Sequence, residues 1–243
     1  MTNLNKEILE LAPPEIPAAL VNFPGSQINL LPLSALAASL QIVIQKWANS
    51  DHPVSVPVKL TLLLNGTRVE EVSFTTPIDP GLFPFSVYIL EQYLQQEGVH
   101  EVSYIVNTAG NPATSESTPF TIDRTAPNYG NPGEIVQFPP EIIRDGITQK
   151  YLDEHGDEVL GIIPVYLQQR ACDSIECHYG SFTNSPVIIT TVHDSNSPTV
   201  IKLSGEIIRA HGSGNKLAFY RIKDRAGNYG PFSAFVNIHV DLP

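Results

Sequence analysis

Cysteine is almost missing from this chain: Cys172 and Cys177 are the two among 243 residues. With one possible pair, disulfides cannot be the main staple of the fold. A bridge between them requires the intervening Asp-Ser-Ile-Glu to form a loop. Free thiols are the alternative, and the lack of an export signal favours them. Cationic side chains are scarce as well, with 14 Lys and Arg against 25 Asp and Glu and a net charge of -11. That balance argues against a nucleic-acid partner, because neutralising phosphates takes clustered Lys and Arg. It argues equally against adhesion to anionic lipid. No stretch approaches the roughly 18 apolar residues of a membrane helix, so no membrane insertion is expected. The start, Met1-Thr-Asn-Leu-Asn-Lys-Glu, is charged and lacks an apolar signal core. It reads as the start of a cytosolic product, as a fragment, or as a chain exported without an N-terminal signal.

The motifs of catalysis are missing too. None of the seven histidines pairs with another at helix spacing, and His-Glu-x-x-His, Gly-x-Ser-x-Gly and the glycine-rich phosphate loops do not occur. Cys172, Cys177 and His178 offer metal ligands but lack the fourth that a structural zinc site takes. Acidic pairs such as Glu70-Glu71, Asp153-Glu154 and Asp157-Glu158 read as solvated surface. With no nucleophile and base in view, the chain is not expected to be an enzyme. Calcium is the candidate cation, since acidic loops supply oxygen ligands. Asp123, Asp224 and Asp241, with Asp145, Asp153, Glu154 and Asp157, lie near predicted domain ends. Capping and solubility is the favoured reading of these residues, because no compact Asp-x-Asp-x-Asp string occurs, and no cofactor is expected.

What the chain has is punctuation and repetition. Its 21 Pro and 16 Gly, set in 42% hydrophobic and 16% charged residues, favour many short strands over long helices. Tyr104-Ile-Val-Asn-Thr-Ala-Gly-Asn111 followed by Phe120-Thr-Ile-Asp123 returns roughly 118 residues later as Tyr220-Arg-Ile-Lys-Asp-Arg-Ala-Gly-Asn228 followed by Val236-Asn-Ile-His-Val-Asp241. Each copy is a strand, a glycine turn and a second strand, and a period of that length is a whole domain. Gly110 and Gly227 suit left-handed turn positions. Asn107, Asp224, Asn111 and Asn228 can hydrogen-bond nearby backbone to hold the turns. Asn65-Gly66, between Val58–Leu64 and Thr67–Phe74, signals a tight hairpin. Asn65-Gly-Thr67 also fits a glycan acceptor, though the hairpin explains it fully. Leu40–Trp47 and Val159–Tyr166 are matching strands, and Trp47 and Tyr166 at their ends read as repeated packing rather than exposed contact residues.

The organisation expected is a leader over residues 1–28, with a short helix in residues 1–12, then a domain over 29–127 and a second over 128–243. Residues 124–140 read as a Pro-rich extended linker. Residues 85–93 read as a short helix or loop, and Gly212-Ser-Gly214 as a loop between strands. Roughly seven short strands in each copy of about 100 residues make an all-β chain of two tandem immunoglobulin-like antiparallel β-sandwiches.

The closing segments Tyr220-x-Ile-x-Asp-Arg-Ala-Gly-Asn228 and Val-x-Ile-x-Val-Asp241, with the junction Ile122-Asp-Arg-Thr-Ala-Pro127, resemble the tandem immunoglobulin-like repeats of large bacterial surface, adhesin-like and exported proteins. The resemblance covers about residues 29–127 and 133–243, and Asn107 departs from it where the second copy has Asp224. It implies a non-catalytic interaction or spacer module of an exported or cell-surface protein, with a protein or glycan surface as partner. It also implies further repeats beyond Pro243, or else a minimal two-domain member. A toxin or effector component binding a host glycan or receptor is the alternative, and a cytoplasmic chain the alternative location.

Overall fold

Asn65 and Gly66 take φ values of 50° and 74°, the pair of left-handed residues that a two-residue hairpin turn of matching twist requires. In this computed structural model, which describes residues 10–243, that turn joins β2 (Pro57–Leu64) to β3 (Thr67–Thr75) in the register Leu64 opposite Thr67. The turn is also wired to a neighbour: Asn65 Oδ1 accepts from the Glu101 N–H at 2.8 Å, and the Asn65 N–H donates to the Glu101 carbonyl at 2.8 Å. The chain divides between Arg124 and Thr125 into two compact units.

In unit 1, β1 (Leu40–Ile44) pairs antiparallel with β4 (Phe85–Ile89) to make one layer. The other layer has the order β3-β2-β5, where β5 (Gly98–Thr108) pairs in turn with β6 (Asn111–Thr114) and β7 (Thr118–Ile122). Alternation fixes which side chains go inside. Leu40, Ile42 and Ile44 of β1, Leu60 and Leu62 of β2, and Val102, Tyr104 and Val106 of β5 meet in one core, which Trp47 closes.

Unit 2 repeats this arrangement. Here β9 (Glu158–Ile163) pairs with β12 (Thr199–Ser204). The second layer runs β11 (Ile188–Thr191), β10 (Ser174–Gly180), β13 (Gly214–Lys223), β14 (Val236–Asp241), with the two-residue β8 (Ile147–Thr148) parallel to β14. Three short helices decorate it: α1 (Pro140–Asp145), α2 (Gln149–Glu154) and α3 (Gly205–His211). The correspondence reaches single bridges. Glu15 pairs with Val43 beside β1 as Gln137 pairs with Ile162 beside β9, and Leu30 runs parallel to Thr121 as β8 does to β14. Each unit is thus an immunoglobulin-like β-sandwich of mainly antiparallel strands.

Three expectations need correction. The leader is not outside the first unit: Leu11 and Ile16 are buried in its core, and Glu15 exchanges backbone hydrogen bonds with Val43. A Pro-rich run reads as a boundary, yet Leu11 and Ile16 beside it reach the core because the backbone between them is paired. The helix expected in residues 1–12 falls mostly outside the described residues, and 10–12 are not helical. The linker ends early, because Val136 and Phe138 belong to the unit 2 core. Residues 85–89 form a strand, with only Glu91–Tyr93 as a 3-10 turn. Strand β10 carries Cys177 and His178, residue types that read as metal ligands rather than as a strand. Its signal was alternation, with Ile175, Cys177 and Tyr179 facing the core.

One buried hydrogen-bond pattern occurs in both units. The Tyr104 N–H donates to Ser115 Oγ at 3.0 Å, and that hydroxyl donates to the Glu116 carbonyl at 2.8 Å. The Tyr220 N–H donates to Ser233 Oγ at 3.0 Å, and that hydroxyl to the Ala234 carbonyl at 2.9 Å. Each serine lets the last strand break stride while the backbone of the neighbouring strand stays satisfied. Ser115→Ala and Ser233→Ala are each expected to lower unfolding free energy by about 1–3 kcal/mol, the cost of orphaning a buried N–H. Chemical denaturation measures this, with the exposed Ser117→Ala as the comparison that stays near wild type.

Candidate functional site

The turns expected from the sequence are present. Ala109 and Gly110 adopt φ of 49° and 90°, and Asn107 Oδ1 accepts from the Gly110 N–H at 2.9 Å. Asn111 starts β6 directly after. In unit 2, Gly227 has φ of 104°. Asp224 Oδ1 accepts from the N–H groups of Gly227 and Asn228 at 2.8 Å each, and Oδ2 accepts from Asn228 Nδ2 at 2.8 Å. The loop is one residue longer than its counterpart, and the carboxylate spans the extra length that Asn107 does not have to cover.

The candidate calcium ligands are not gathered within unit 2. Asp224 directly follows β13, whereas Asp241 ends β14 beside Gly214, at the other end of the ten-residue β13, a separation of roughly 30 Å. Asp123 follows β7 in unit 1, where it accepts from Gln27 Nε2 at 2.6 Å. Asp145 pairs with Arg144, Asp157 with Arg209 and Glu154 with Lys150, while Asp153 accepts from Gln149. Among the described residues, no group of three His, Cys, Asp or Glu side chains is placed to hold an ion. Cys172 and Cys177 are both free. Cys177 faces the core while His178, next along the strand, faces the other way, so the zinc set does not converge.

The outer face of β10 and β13 carries a feature the sequence reading missed. Tyr220 and Ile222 point into the core, so Phe219 and Arg221 point outward. Phe219 is nonetheless only 1% exposed, because other rings cover it. His178 stacks on it at 4.9 Å between centroids with planes 6° apart, Phe232 meets it edge-on at 5.3 Å, and Phe182 lies 5.0 Å away. Phe235 then meets Phe182 edge-on at 5.5 Å. The strip continues through Arg221, whose guanidinium lies 5.4 Å from the Phe232 centroid and 4.4 Å from that of Tyr229. Lys223 closes it, 4.9 Å over the Tyr229 ring. Glu176 anchors the charged end, accepting from Arg221 Nε at 2.7 Å and from the Tyr229 hydroxyl at 3.1 Å. Burial acts to raise its carboxyl, but those two hydrogen bonds outweigh it and hold the group below the usual range. His178 Nδ1 lies 2.9 Å from the Asn184 carbonyl. Nδ1 therefore donates to that carbonyl, and Nε2 is buried without a hydrogen-bond partner.

Unit 1 supplies the comparison. Tyr104 pairs with Leu62 as Tyr220 pairs with Cys177. This register aligns Glu176, His178, Phe219 and Arg221 with Thr61, Leu63, Ser103 and Ile105. The shared serine aligns Phe232 and Phe235 with Thr114 and Ser117. Core positions are thus shared between the copies, while the outer face becomes aromatic in unit 2 alone. The legible signal was the phase of Phe219 and Arg221 around Tyr220, and of Phe232 around Ser233.

A second unusual group lies in the loop before β10. Asp173 is 1% exposed. Its Oδ2 accepts from the Tyr166 hydroxyl at 2.7 Å and the Arg170 N–H at 2.9 Å, while Oδ1 has no hydrogen-bond partner. Burial pushes the carboxyl up to about 6, the Tyr166 and Arg170 hydrogen bonds oppose that rise, and the charge of Asp224 adds to it. Trp47 and Tyr166 are both buried, as repeated packing requires.

No known protein family matches the chain, and no curated protein does. Solved structures with some likeness include fibronectin(III)-like modules of Clostridium thermocellum CbhA, at 12% identity over 84% of this chain and 86% of that one, TM-score 0.42. A 1.5-MDa bacterial ice-binding adhesin gives 17% identity over 98% and 67%, TM-score 0.44. A tetra-tandem repeat from the extending region of a large adhesion protein gives 15% over 96% and 49%, TM-score 0.33. Likeness at this level leaves the fold to be read from the strand order itself.

Ionising Asp173 costs more in the folded chain than in the unfolded one, where a carboxyl titrates near 3.9. Its contribution is therefore fully present below about pH 4 and is lost as pH rises through about 6. Asp173→Asn removes that dependence. The variant's stability relative to wild type should improve by about 2 kcal/mol between pH 4 and pH 7.5, as read from denaturant unfolding at the two pH values.

Proposed function

We propose that the chain is a non-catalytic interaction and spacer module of an exported or cell-surface bacterial protein. The observation that carries this reading is the duplication of one sandwich down to its Tyr–Ser wiring. Duplicating a whole β-module lengthens a chain and multiplies surfaces, whereas a catalytic centre needs convergence at one place. The ionisable groups support the same reading. Asp157 is paired with Arg209 between a loop and a helix, Glu71 with Lys59 across strands and with Arg68 along its own strand, and Glu176 with Arg221 across strands. The nucleophile candidates are equally committed: Ser115 and Ser233 to backbone, Cys177 to the core, where burial pushes its thiol up to about 12. The bacterial and extracellular parts of the proposal draw on the likeness of the closing strands to tandem surface repeats.

A second reading, a toxin or effector component that binds a host glycan or receptor, gains support from the aromatic face of unit 2. The two readings share a binding surface and differ in where the chain works.

Single-molecule pulling tests the spacer reading. Two separate unfolding events are expected, each releasing roughly 40 nm, the contour of a unit of about 120 residues. One event spanning the whole chain would refute mechanically independent units. Protease shaving of intact producing cells, followed by mass spectrometry, tests the location. Release of peptides from this chain is the expected result, and protection until lysis counts against it.

A further inference from the structure

The aromatic strip on unit 2 is built, not incidental. Six rings or ring-like groups would have to be lost to convert it into the corresponding face of unit 1, which folds without them. Four of its members, Phe182, Phe232, Phe235 and Tyr229, are between 43% and 57% exposed. Exposing that many large rings works against solubility unless the face meets something.

The size of the face restricts what it meets. Four rings about half exposed, at 150–250 Å² for a whole aromatic side chain, present roughly 400 Å². A stable protein–protein contact takes about 800 Å² per partner. The strip is therefore half a protein interface but the right scale for a few linked small rings. Its chemistry alternates: apolar ring faces at Phe235 and Phe182, then a guanidinium, a carboxylate and a phenol within hydrogen-bonding distance of one another. That alternation matches a pyranose. Its axial C–H groups form an apolar face whose slightly positive hydrogens meet the negative face of an aromatic ring. Its rim of hydroxyls needs donors and acceptors side by side, which Arg221 and Glu176 supply. Charge does not select an anionic ligand, because the Arg221 guanidinium is matched at 2.7 Å by Glu176.

Resting on the reading of the chain as a non-catalytic binding module, we propose that this face of unit 2 binds a neutral saccharide chain. The sugar rings stack along Phe235, Phe182 and Phe232, and their hydroxyls bond to the Arg221–Glu176–Tyr229 end.

The test uses the full chain with cellohexaose, xylohexaose and mannohexaose as neutral probes and a galacturonate hexamer as the charged comparator, read by isothermal titration and saturation-transfer NMR. Binding of at least one neutral probe is expected, with saturation transferred from aromatic protons. Phe182→Ala and Phe235→Ala should each weaken it by about tenfold or more, whereas Phe182→Tyr and Phe235→Tyr should keep it. Ser103→Ala and Ser117→Ala, at the matching positions of unit 1, should leave it unchanged. Melting curves establish that each variant folds, and the tyrosine variants carry the test if an alanine variant does not. The proposal is overturned if no neutral probe binds or if the galacturonate hexamer is preferred. It is also overturned if ring removal leaves affinity intact, or abolishes self-association of the chain with no saccharide bound. Mass spectrometry of the recovered probes separates the two claims. Shortened probes would end the non-catalytic reading while leaving the face as the saccharide site. Intact but unbound probes would end the saccharide proposal and leave the spacer reading standing.

Discussion

Strand β13 is buried on both of its faces, and that constraint organises unit 2. Successive side chains of a strand must point to opposite sides. Tyr220 is enclosed by the core, and Phe219, one residue earlier, is enclosed by rings outside it. A central strand dry on both sides cannot leave backbone groups unpaired. The pairing with β10 and β14, and the Ser233 hydroxyl where β14 has not yet begun, meet that demand. Unit 1 solves the same problem on one face only. Its β5 is buried toward Tyr104 and leaves Ser103 and Ile105 on a more open side.

The shared wiring and the divergent face follow from where each copy was free to change. Replacing Tyr104 or Tyr220 disturbs a core, while replacing Ser103 with an aromatic disturbs only solvent contacts. A duplicated sandwich can therefore keep its inside and specialise its outside. The same logic places the loops: the one-residue difference between the turns after β5 and β13 is absorbed by Asp224, whose two oxygens reach three donors where Asn107 reaches one.

Much of this was legible in the sequence because it is local. Asn65-Gly66 and Gly110 announce their turns through backbone angles that few other residues accept. The repeat of Tyr104 to Asp123 announces a second copy of the same strands. What was not legible depends on distance. Leu11, Ile16, Val136 and Phe138 look like parts of tails and linkers until the strands beside them are placed. Strand β10 was hidden by chemistry-bearing residue types whose alternation mattered more than their reactivity. The aromatic face is not legible because Phe182 and Phe235 lie in loops, and only the folding of those loops brings Phe182 to Phe219 and Phe235 to Phe182. Asp173 gave no sign at all, since burial of a carboxylate is set by what surrounds it rather than by its neighbours in sequence.

Trp47 is the sole tryptophan of the chain and lies in unit 1, edge-on to Phe83 at 5.0 Å and to Phe74 at 6.4 Å. Indole emission from the whole protein is thus a private signal of one half. It will follow the loosening of that half under heat or denaturant and stay blind to the other, whose optical voice is tyrosine alone. Any mismatch between the two wavelengths reports how independently the duplicated sandwiches come apart.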